Sequence, residues 1–260
     1  MAIPRQKRTL RILCFGDSLT AGYYNYGTAY EPYKDAMSTK LSKAFPNLQI
    51  DTEEDGLSGD LVNNPGGRFL RRIEKHFPNK DGAPSPYDWT IVLGGTNDLA
   101  YQFTPEKIYA ALQQTWAVPL SKGCKVLALT VPETGATGPA KERADAKRNR
   151  LNDLIKGHKA DNFYSFDFNA VFPYFNMRPE EREKYWDDGL HLTADGYMLM
   201  GEKIAGALIN IIMPPGRLQM NGERTRKRKF KDDDKTFEEE HGDDAALDHG
   251  YIVVRRKDLD

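Results

Sequence analysis

Three short polar blocks, each beside an apolar run, carry the residue types that nucleophilic catalysis needs. Residues 16–20, Gly-Asp-Ser-Leu-Thr, follow the apolar run 12–15, and residues 94–98, Gly-Gly-Thr-Asn-Asp, follow a second such run. The third block, 188–191, is Asp-Gly-Leu-His and precedes the last apolar segment with helical spacing. A serine becomes a strong nucleophile when a histidine, itself oriented by a carboxylate, takes its proton. The three blocks therefore predict acyl transfer through Ser18.

Together with a glycine in the segment 56–60, Gly-Leu-Ser-Gly-Asp, these blocks resemble the four sequence blocks of the SGNH, or GDSL, hydrolase family. All four occur in the family's order, and the resemblance spans roughly residues 11–212. It implies a carboxylic-ester hydrolase that works through a covalent acyl-enzyme, with no cofactor and no metal. No Gly-x-Ser-x-Gly elbow occurs in the chain, which argues against an ordinary α/β-hydrolase.

The predicted general base is His191, and the predicted carboxylate is Asp188, three residues earlier on the same loop. A solvated acid and a histidine at the start of a helix are the alternative interpretation of this pair. Asp167, at the end of the fifth predicted strand, is a second candidate for the carboxylate, but it lacks a fixed local spacing to His191. The predicted catalytic residues are thus Ser18, Asp188 and His191.

Three donors are predicted for the oxyanion that acyl transfer creates: the backbone N–H groups of Ser18 and Gly59 and the side-chain amide of Asn97. Glycine suits a loop whose backbone approaches a substrate closely, and asparagine donates without acting as a base. An ordinary turn glycine and an Asx turn are the alternatives. For the neighbouring Asp17 and Asp98 we expect bonds to local backbone N–H groups rather than catalytic roles.

Neither a metal nor a cofactor is predicted, since no spacing of histidine, cysteine and carboxylate residues suggests a zinc site. The two cysteines, Cys14 and Cys124, lie in apolar strand-like runs, where a free cysteine behaves as a small buried hydrophobe. For His76 and His158, near the ends of predicted helices, we expect capping or solvated roles.

Five strand-like runs position the polar blocks, and they span residues 11–15, 48–52, 89–93, 125–130 and 162–166. They alternate with helical segments, which predicts an α/β fold with a parallel sheet covered on both faces. With the family resemblance, the prediction becomes a three-layer α/β/α sandwich around a flavodoxin-like, five-stranded sheet. Ligands of such sheets bind beyond the carboxyl ends of the strands, so Ser18, Gly59 and Asn97 should meet at one edge.

Helix signals support this segmentation. Thr104 should cap a helix that has Pro105 at its first position and that Gly123 ends. Thr193 should cap a final amphipathic helix that runs to about Ile212.

The expected substrate is a small-molecule ester, with short-chain or aryl esters as the first choice. Five tyrosines between residues 23 and 33, and Trp186 just before Asp188, are candidates for the walls of the substrate entrance. In the alternative interpretation, most of these rings pack helices onto the sheet. A carbohydrate O-acetylesterase or lysophospholipase of the same family is the first alternative function. An inert hydrolase-like body with a binding or regulatory tail is the second.

The formal net charge of −1 argues against nucleic acid or an anionic membrane as a partner of the whole protein. No apolar stretch is long enough to span a bilayer, and the basic N-terminal residues lack the apolar region of a secretory signal. The expected location is therefore the cytoplasm, with the nucleus as an alternative, and we do not expect secretion. The sequence leaves the oligomeric state open.

The composition changes at Pro214, which divides a predicted hydrolase domain, 1–213, from a charged tail, 214–260, that we expect to be mostly disordered. A basic run from Arg224 to Lys231 resembles a nuclear import signal or a phosphate-binding patch, and a tail without an address is the other interpretation. The acidic run that follows weakens the case for nucleic-acid binding. The segment 251–254, Tyr-Ile-Val-Val, has the character of a strand that pairs with a sheet edge.

Overall fold

The computed structural model describes residues 7–63, 68–78 and 84–214. The chain divides into two units, and all of these residues lie in the first of them, Met1–Leu218. The tail predicted beyond Pro214 lies outside the described residues. The boundary between hydrolase domain and tail, and the disorder of the tail, therefore stay predictions.

Five parallel strands form the central sheet, and a short antiparallel hairpin lies beside it. In chain order the strands are β1 (Arg8–Gly16), β2 (Tyr23–Tyr24), β3 (Ala29–Tyr30), β4 (Leu48–Gly56), β5 (Trp89–Leu93), β6 (Lys125–Leu129) and β7 (Phe163–Phe166). β2 and β3 make the hairpin, while the other five pair in the order β4-β1-β5-β6-β7. This is the flavodoxin-like strand order, and the predicted fold is confirmed.

Nine α-helices lie within the described residues. In chain order they are α1 (Ser18–Ala21), α2 (Lys34–Ala44), α3 (Arg68–His76), α4 (Thr96–Ala100), α5 (Pro105–Ser121), α6 (Gly138–Gly157), α7 (Phe168–Val171), α8 (Pro179–Tyr185) and α9 (Ala194–Ile212). The side chains of Thr104 and Thr193 accept from backbone N–H groups at the starts of α5 and α9, so both predicted caps are present. None of the described helices is both long enough and apolar enough to cross a membrane.

The two faces of the sheet are each buried under helices. Ile12 and Cys14 of β1 pack into one core with α2 and α9, whereas Leu13 and Phe15 pack into a second core with α3, α5 and α6. Successive residues of a strand point to opposite faces, so the unbroken apolar run of β1 indicates burial on both sides. The three layers predicted from the sequence are confirmed.

The register of the sheet places three loops at the same edge. Gly16, the last residue of β1, pairs with Gly56 at the end of β4 and with Leu93 at the end of β5. The segments that follow these three residues therefore leave the sheet side by side. They contain Ser18, Gly59 and Asn97, respectively.

Candidate active site

Ser18 is the first residue of α1, where a tight turn places it. The turn needs Gly16, since a Cβ at this position would lie only 2.2 Å from Oγ1 of Thr20. Asp17 caps the helix, because its Oδ1 accepts from the N–H of Leu19 at 3.0 Å. The first N–H groups of a helix have no acceptor within it, so the N–H of Ser18 is available to a ligand beyond β1.

The side chains of Ser18, His191 and Asp188 form one hydrogen-bonded chain. His191 Nε2 lies 2.9 Å from Ser18 Oγ, and His191 Nδ1 lies 2.8 Å from Asp188 Oδ2. A carboxylate opposite Nδ1 favours the tautomer in which Nδ1 carries the hydrogen and Nε2 can accept the serine proton. The structure thus brings together the three residues that the sequence predicted as nucleophile, base and carboxylate.

Asp188 is held by its own loop as well as by the imidazole. Its Oδ1 accepts from the backbone N–H groups of Leu190 at 2.9 Å and His191 at 2.7 Å. Partial burial alone would raise the pKa of Asp188, but the hydrogen bonds from the His191 ring and from the two backbone groups outweigh it and lower the pKa. The carboxylate is therefore ionised at neutral pH, where it can stabilise an imidazolium.

The loop that carries Asp188 and His191 rests on the loop after β6. The N–H of Gly135 donates to the oxygen of Gly189 at 2.6 Å, and a Cβ on Gly189 would lie 3.2 Å from Cα of Gly135. Gly189 also has φ +78°, which disfavours other residues. Sequence reasoning missed this support, because nothing in either segment indicates the other.

The tyrosines after Ser18 divide into three groups. Tyr23 lies against the ring of His191, with ring centroids 4.5 Å apart, and forms one wall of the site. Tyr33 is 1% exposed and belongs to the core, whereas Tyr26 is 87% exposed and Tyr30 is 54% exposed. Tyr23 therefore fits the interpretation as a wall, and Tyr33 and the partly buried Tyr24 fit the interpretation as packing residues.

Trp186 belongs to the core and also borders a pocket that Asp188 and Gly189 line. Its side chain is buried, and its ring packs against those of Phe172 and Tyr174, with ring centroids 5.6 and 5.1 Å apart. The alternative interpretation, in which a ring packs an element onto the sheet, describes this residue.

Gly59 lies in the loop after β4, with φ +73° and open space where a side chain would be. Glycine is therefore needed for the backbone conformation and not for lack of room. The loop is tied to the nucleophile turn, since the N–H of Leu57 donates to the oxygen of Gly16 at 3.1 Å. This bond attaches the Gly59 loop to Gly16, which lies two residues before Ser18 in the sequence.

Asn97 is the second residue of α4, after Gly95, whose φ is +108°. Its amide Nδ2 donates to the backbone oxygen of Asp60 at 3.0 Å. An amide nitrogen carries two hydrogens, and this bond uses one of them. Asn97 is thus bonded to the residue that follows Gly59, a contact that the alternative interpretation of its side chain as an Asx turn does not describe.

Asp17 and Asp98 differ from each other in what they bind. Asp17 bonds the local N–H of Leu19, as expected. Asp98 instead accepts from the N–H groups of Val62 at 2.9 Å and Asn63 at 2.7 Å, which belong to the distant Gly59 loop. Asp98 also interacts with its own backbone N–H, so the expected local bond is joined by two bonds to a distant loop that the sequence did not indicate.

Burial governs the ionisation of both acids. Loss of solvent raises the pKa of Asp17 to about 7, although the N–H of Leu19 acts in the opposite direction. Burial also raises the pKa of Asp98, more than the two N–H groups that it accepts from lower it. Both carboxyl groups are therefore harder to ionise than a solvated aspartate.

The remaining polar candidates lie apart from the hydrogen-bonded chain. Asp167 accepts from Oγ1 of Thr130 at 3.0 Å and caps α7, so its carboxylate stabilises the turn between β7 and α7. His76 contacts Asp55 and Tyr87, and His158 contacts the hydroxyl of Tyr109, which makes both more than solvated residues. Within the described residues, no group of three or more His, Cys, Asp and Glu could hold a metal ion.

Several solved structures share this fold. A member of the lipolytic protein G-D-S-L family from Veillonella parvula is 20% identical, with a TM-score of 0.57 over 76% of this chain and 97% of that one. A lipase/acylhydrolase from Enterococcus faecalis is 19% identical, with a TM-score of 0.52 over 76% and 95%. An acetylxylan esterase from Geobacillus stearothermophilus is 18% identical, with a TM-score of 0.55 over 76% and 93%.

At these identities the solved structures show the common fold and nothing further. A search of curated proteins found no significant match to this sequence. The model of one protein family does match, over residues 14–199, a range that starts in β1, ends in α9 and contains every residue of the hydrogen-bonded chain. Because the match covers well over half of the sequence, the chain belongs to the GDSL-like lipase/acylhydrolase family.

Proposed function

We propose that this protein is a serine esterase that hydrolyses carboxylic esters through a covalent acyl-enzyme on Ser18. One observation carries the proposal: Oγ of Ser18 lies 2.9 Å from a histidine nitrogen whose partner nitrogen lies 2.8 Å from a carboxylate. A nucleophile, a base within hydrogen-bond reach and a group that orients the base are the three parts that acyl transfer to a serine requires.

In the first half of the reaction, Ser18 Oγ attacks the ester carbonyl carbon while His191 Nε2 takes the hydroxyl proton. Asp188, ionised and bonded to Nδ1, stabilises the imidazolium that forms. The tetrahedral intermediate then collapses, the bond to the alcohol oxygen breaks, and the imidazolium returns its proton to that oxygen. The acyl group stays on Ser18 and the alcohol leaves.

The negative oxygen of the intermediate would be bound by the N–H groups of Ser18 and Gly59 and by the second amide hydrogen of Asn97. The N–H of Ser18 has no acceptor within α1, and Asn97 is held in place by Asp60. Donors fixed before the reaction stabilise developing charge without a reorganisation cost. In the second half, His191 takes a proton from the water that attacks the acyl carbon and returns it to Ser18 Oγ as the acyl-enzyme bond breaks, which releases the acid and restores the serine.

The proposed substrates are small esters with a short acyl chain or an aryl alcohol. Tyr23 against the ring of His191 narrows the space beside the base, which supports a compact group there. Acetylated sugars and lysophospholipids are the alternatives from the same family. A panel of p-nitrophenyl acetate, butyrate and octanoate, a peracetylated xyloside and a lysophosphatidylcholine separates these classes by kcat/KM.

A fluorophosphonate probe tests the nucleophile directly. The full chain should be labelled at Ser18 and should hydrolyse p-nitrophenyl acetate, and Ser18→Ala should do neither. Ser42→Ala, which changes an exposed serine of α2, is the matched control and should keep both properties. Labelling of the Ser18→Ala protein at wild-type rate, or no labelling of the wild type, would refute the serine mechanism.

A further inference from the structure

Arg72 of α3 uses its whole guanidinium group next to the site. Nη1 donates to the oxygen of Gly16 at 3.1 Å and to Oδ2 of Asp60 at 2.6 Å. Nη2 donates to the backbone oxygen of Asp55 at 2.5 Å and to its Oδ1 at 2.6 Å, and Nε donates to the same Oδ1 at 3.2 Å. These contacts match the five N–H donors of an arginine.

The three acceptors belong to the parts of the chain that present the proposed oxyanion donors. Gly16 is two residues before Ser18, Asp55 lies at the end of β4, and Asp60 directly follows Gly59. The guanidinium therefore spans the ends of two adjacent strands and the loop between β4 and α3. Within the described residues, no other side chain forms hydrogen bonds or ion pairs with all three of these segments.

The surroundings of Arg72 hold its guanidinium group in one position. Its side chain is 12% exposed, the carboxylate of Asp60 is fully buried, and the guanidinium lies over the ring of Phe15 at 4.7 Å from the centroid. A planar fork that is bonded on every edge and stacked on an aromatic face has little freedom left. A lysine could supply the charge but neither the two-pronged contact to Asp55 nor all of the remaining bonds.

We propose that Arg72 is a positioning residue of the active site, whose guanidinium sets the distance between the N–H of Ser18 and the N–H of Gly59. The inference rests on the proposed esterase function, in which these two groups bind the same oxyanion. Arg72 touches neither Ser18 nor Gly59 and acts through Gly16 and Asp60. Without it, the Gly59 loop keeps its backbone bond to Gly16 and its bonds to Asn97 and Asp98, but it loses the side-chain bridge that joins Asp60 to Asp55.

The test compares three variants of the full chain: Arg72→Met, Arg72→Lys and Arg71→Met. Arg71 is the exposed neighbour on the same helix, and its replacement removes the same charge without touching the site. We expect Arg72→Met to lower kcat for p-nitrophenyl acetate roughly 10- to 100-fold, with KM changed less than about 3-fold, because a misplaced donor is felt mainly in the transition state. Arg72→Lys should lie between Arg72→Met and the wild type, and Arg71→Met should behave as the wild type.

Backbone hydrogen exchange tests the positioning role of Arg72 independently of the enzymatic reaction. The amides of Leu57 and Asp60 are hydrogen-bonded in the loop, so a peptide covering 57–61 should exchange faster in Arg72→Met, whereas peptides from β6 should not change. Unaltered exchange at 57–61 would overturn the proposal, and so would a wild-type kcat in Arg72→Lys. If Arg72→Met does not fold, Arg72→Lys decides the question by the same two readouts.

The two hypotheses fail in different ways. A wild-type protein that neither hydrolyses any ester of the panel nor reacts with the fluorophosphonate would remove the proposed function, and with it the oxyanion role of Arg72. An active wild type whose Arg72→Met variant loses thermal stability but keeps kcat would leave the esterase intact and overturn the positioning role alone. Loss of kcat together with faster exchange at 57–61 supports both.

Discussion

The side-chain amide of Asn97 donates to the backbone oxygen of Asp60 at 3.0 Å, although the two residues follow different strands of the sheet. The bond attaches Asn97 to the residue after Gly59, so two of the proposed oxyanion donors are held as one unit. Asp98 strengthens the same unit through the N–H groups of Val62 and Asn63. The loops after β4 and β5 are thus joined at the point where a substrate oxygen would bind.

Replacing Asn97 by alanine should reduce kcat roughly 10²- to 10³-fold with a smaller change in KM, because an oxyanion donor acts mainly in the transition state. Asp98→Asn keeps one oxygen acceptor and should reduce kcat less than Asn97→Ala does. Steady-state kinetics on p-nitrophenyl acetate gives both numbers. If Asp98→Asn were the more harmful change, the assignment of Asn97 as a donor would be wrong.

Ser18→Ala and His191→Ala should each abolish nearly all ester hydrolysis, and the double variant should be about as slow as either single one. The reason is that nucleophile and base act as one unit, so removing the second part costs little once the first is gone. The check is kcat/KM for the two single variants and the double variant. A double variant far slower than both single variants would contradict the shared mechanism.

Asp188→Asn should lower kcat by about 10⁴-fold, because an amide in place of the carboxylate favours the wrong tautomer of His191 and no longer stabilises the imidazolium. The neighbouring Asp187 accepts from the N–H of Asn25 at 2.7 Å and provides the matched control. Asp187→Asn should keep kcat within about threefold of the wild type, as expected of a residue outside the chain of proton transfer. Equal losses in the two variants would point to a general requirement for negative charge on this loop.

Much of the fold could be predicted, because its signals are local. The buried run of β1, the caps Thr104 and Thr193 and the glycine of the Ser18 turn each have a physical cause within a few residues. The short hairpin of β2 and β3 was missed, since each of its strands is only two residues long and the turn holds Tyr26 at φ +54°, a conformation that a tyrosine does not signal.

The members of the candidate site could be proposed from the sequence, but the contacts that support them could not. Ser18, Gly59, Asn97 and His191 stand out by residue type and by their place after strands. The bonds from Asp98 to the Gly59 loop and from Gly135 to Gly189 join segments far apart in sequence. Such contacts depend on the way that loops pack against one another, which neither composition nor periodicity encodes.

Asp17 should contribute a loss of stability as pH rises between about 4 and 7. Burial raises the pKa of this carboxyl from 3.8 to about 7 in the folded state, so the folded protein holds a proton that the unfolded chain has released in this window. The free energy of unfolding then decreases by up to about 1.4 kcal/mol per pH unit, and above pH 7 the contribution stays lost.

Asp17→Asn should flatten this dependence, because an amide still caps α1 but does not titrate. Urea unfolding at pH 5 and pH 8 measures the difference, with Asp161→Asn, an exposed site, as the control. The variant should be less sensitive to this pH change than the wild type, and the control should not differ from the wild type. Identical pH dependence in Asp17→Asn and the wild type would mean that Asp17 is charged in the folded protein at both values.

Deleting residues 214–260 should leave kcat/KM and the melting temperature essentially unchanged. The segment is highly charged and poor in apolar residues, so it cannot bury enough surface to offset the entropy lost on ordering. Both hydrophobic cores of the described residues are complete by Met213, just past the end of α9. The comparison requires the truncated and full-length proteins in the same ester assay and the same melting experiment.

One part of that segment could contradict the expected result of the deletion. Residues 251–254, Tyr-Ile-Val-Val, are strand-forming, and β4 and β7 are the outer strands of the described sheet. A variant with Ile252→Asp and Val254→Asp in the full chain isolates this possibility from the loss of the tail as a whole. We expect both the deletion and this variant to match the wild type, because the core does not need them. A melting temperature lowered equally in both would show that the segment adds to an edge of the sheet, and the domain boundary at Pro214 would have to move.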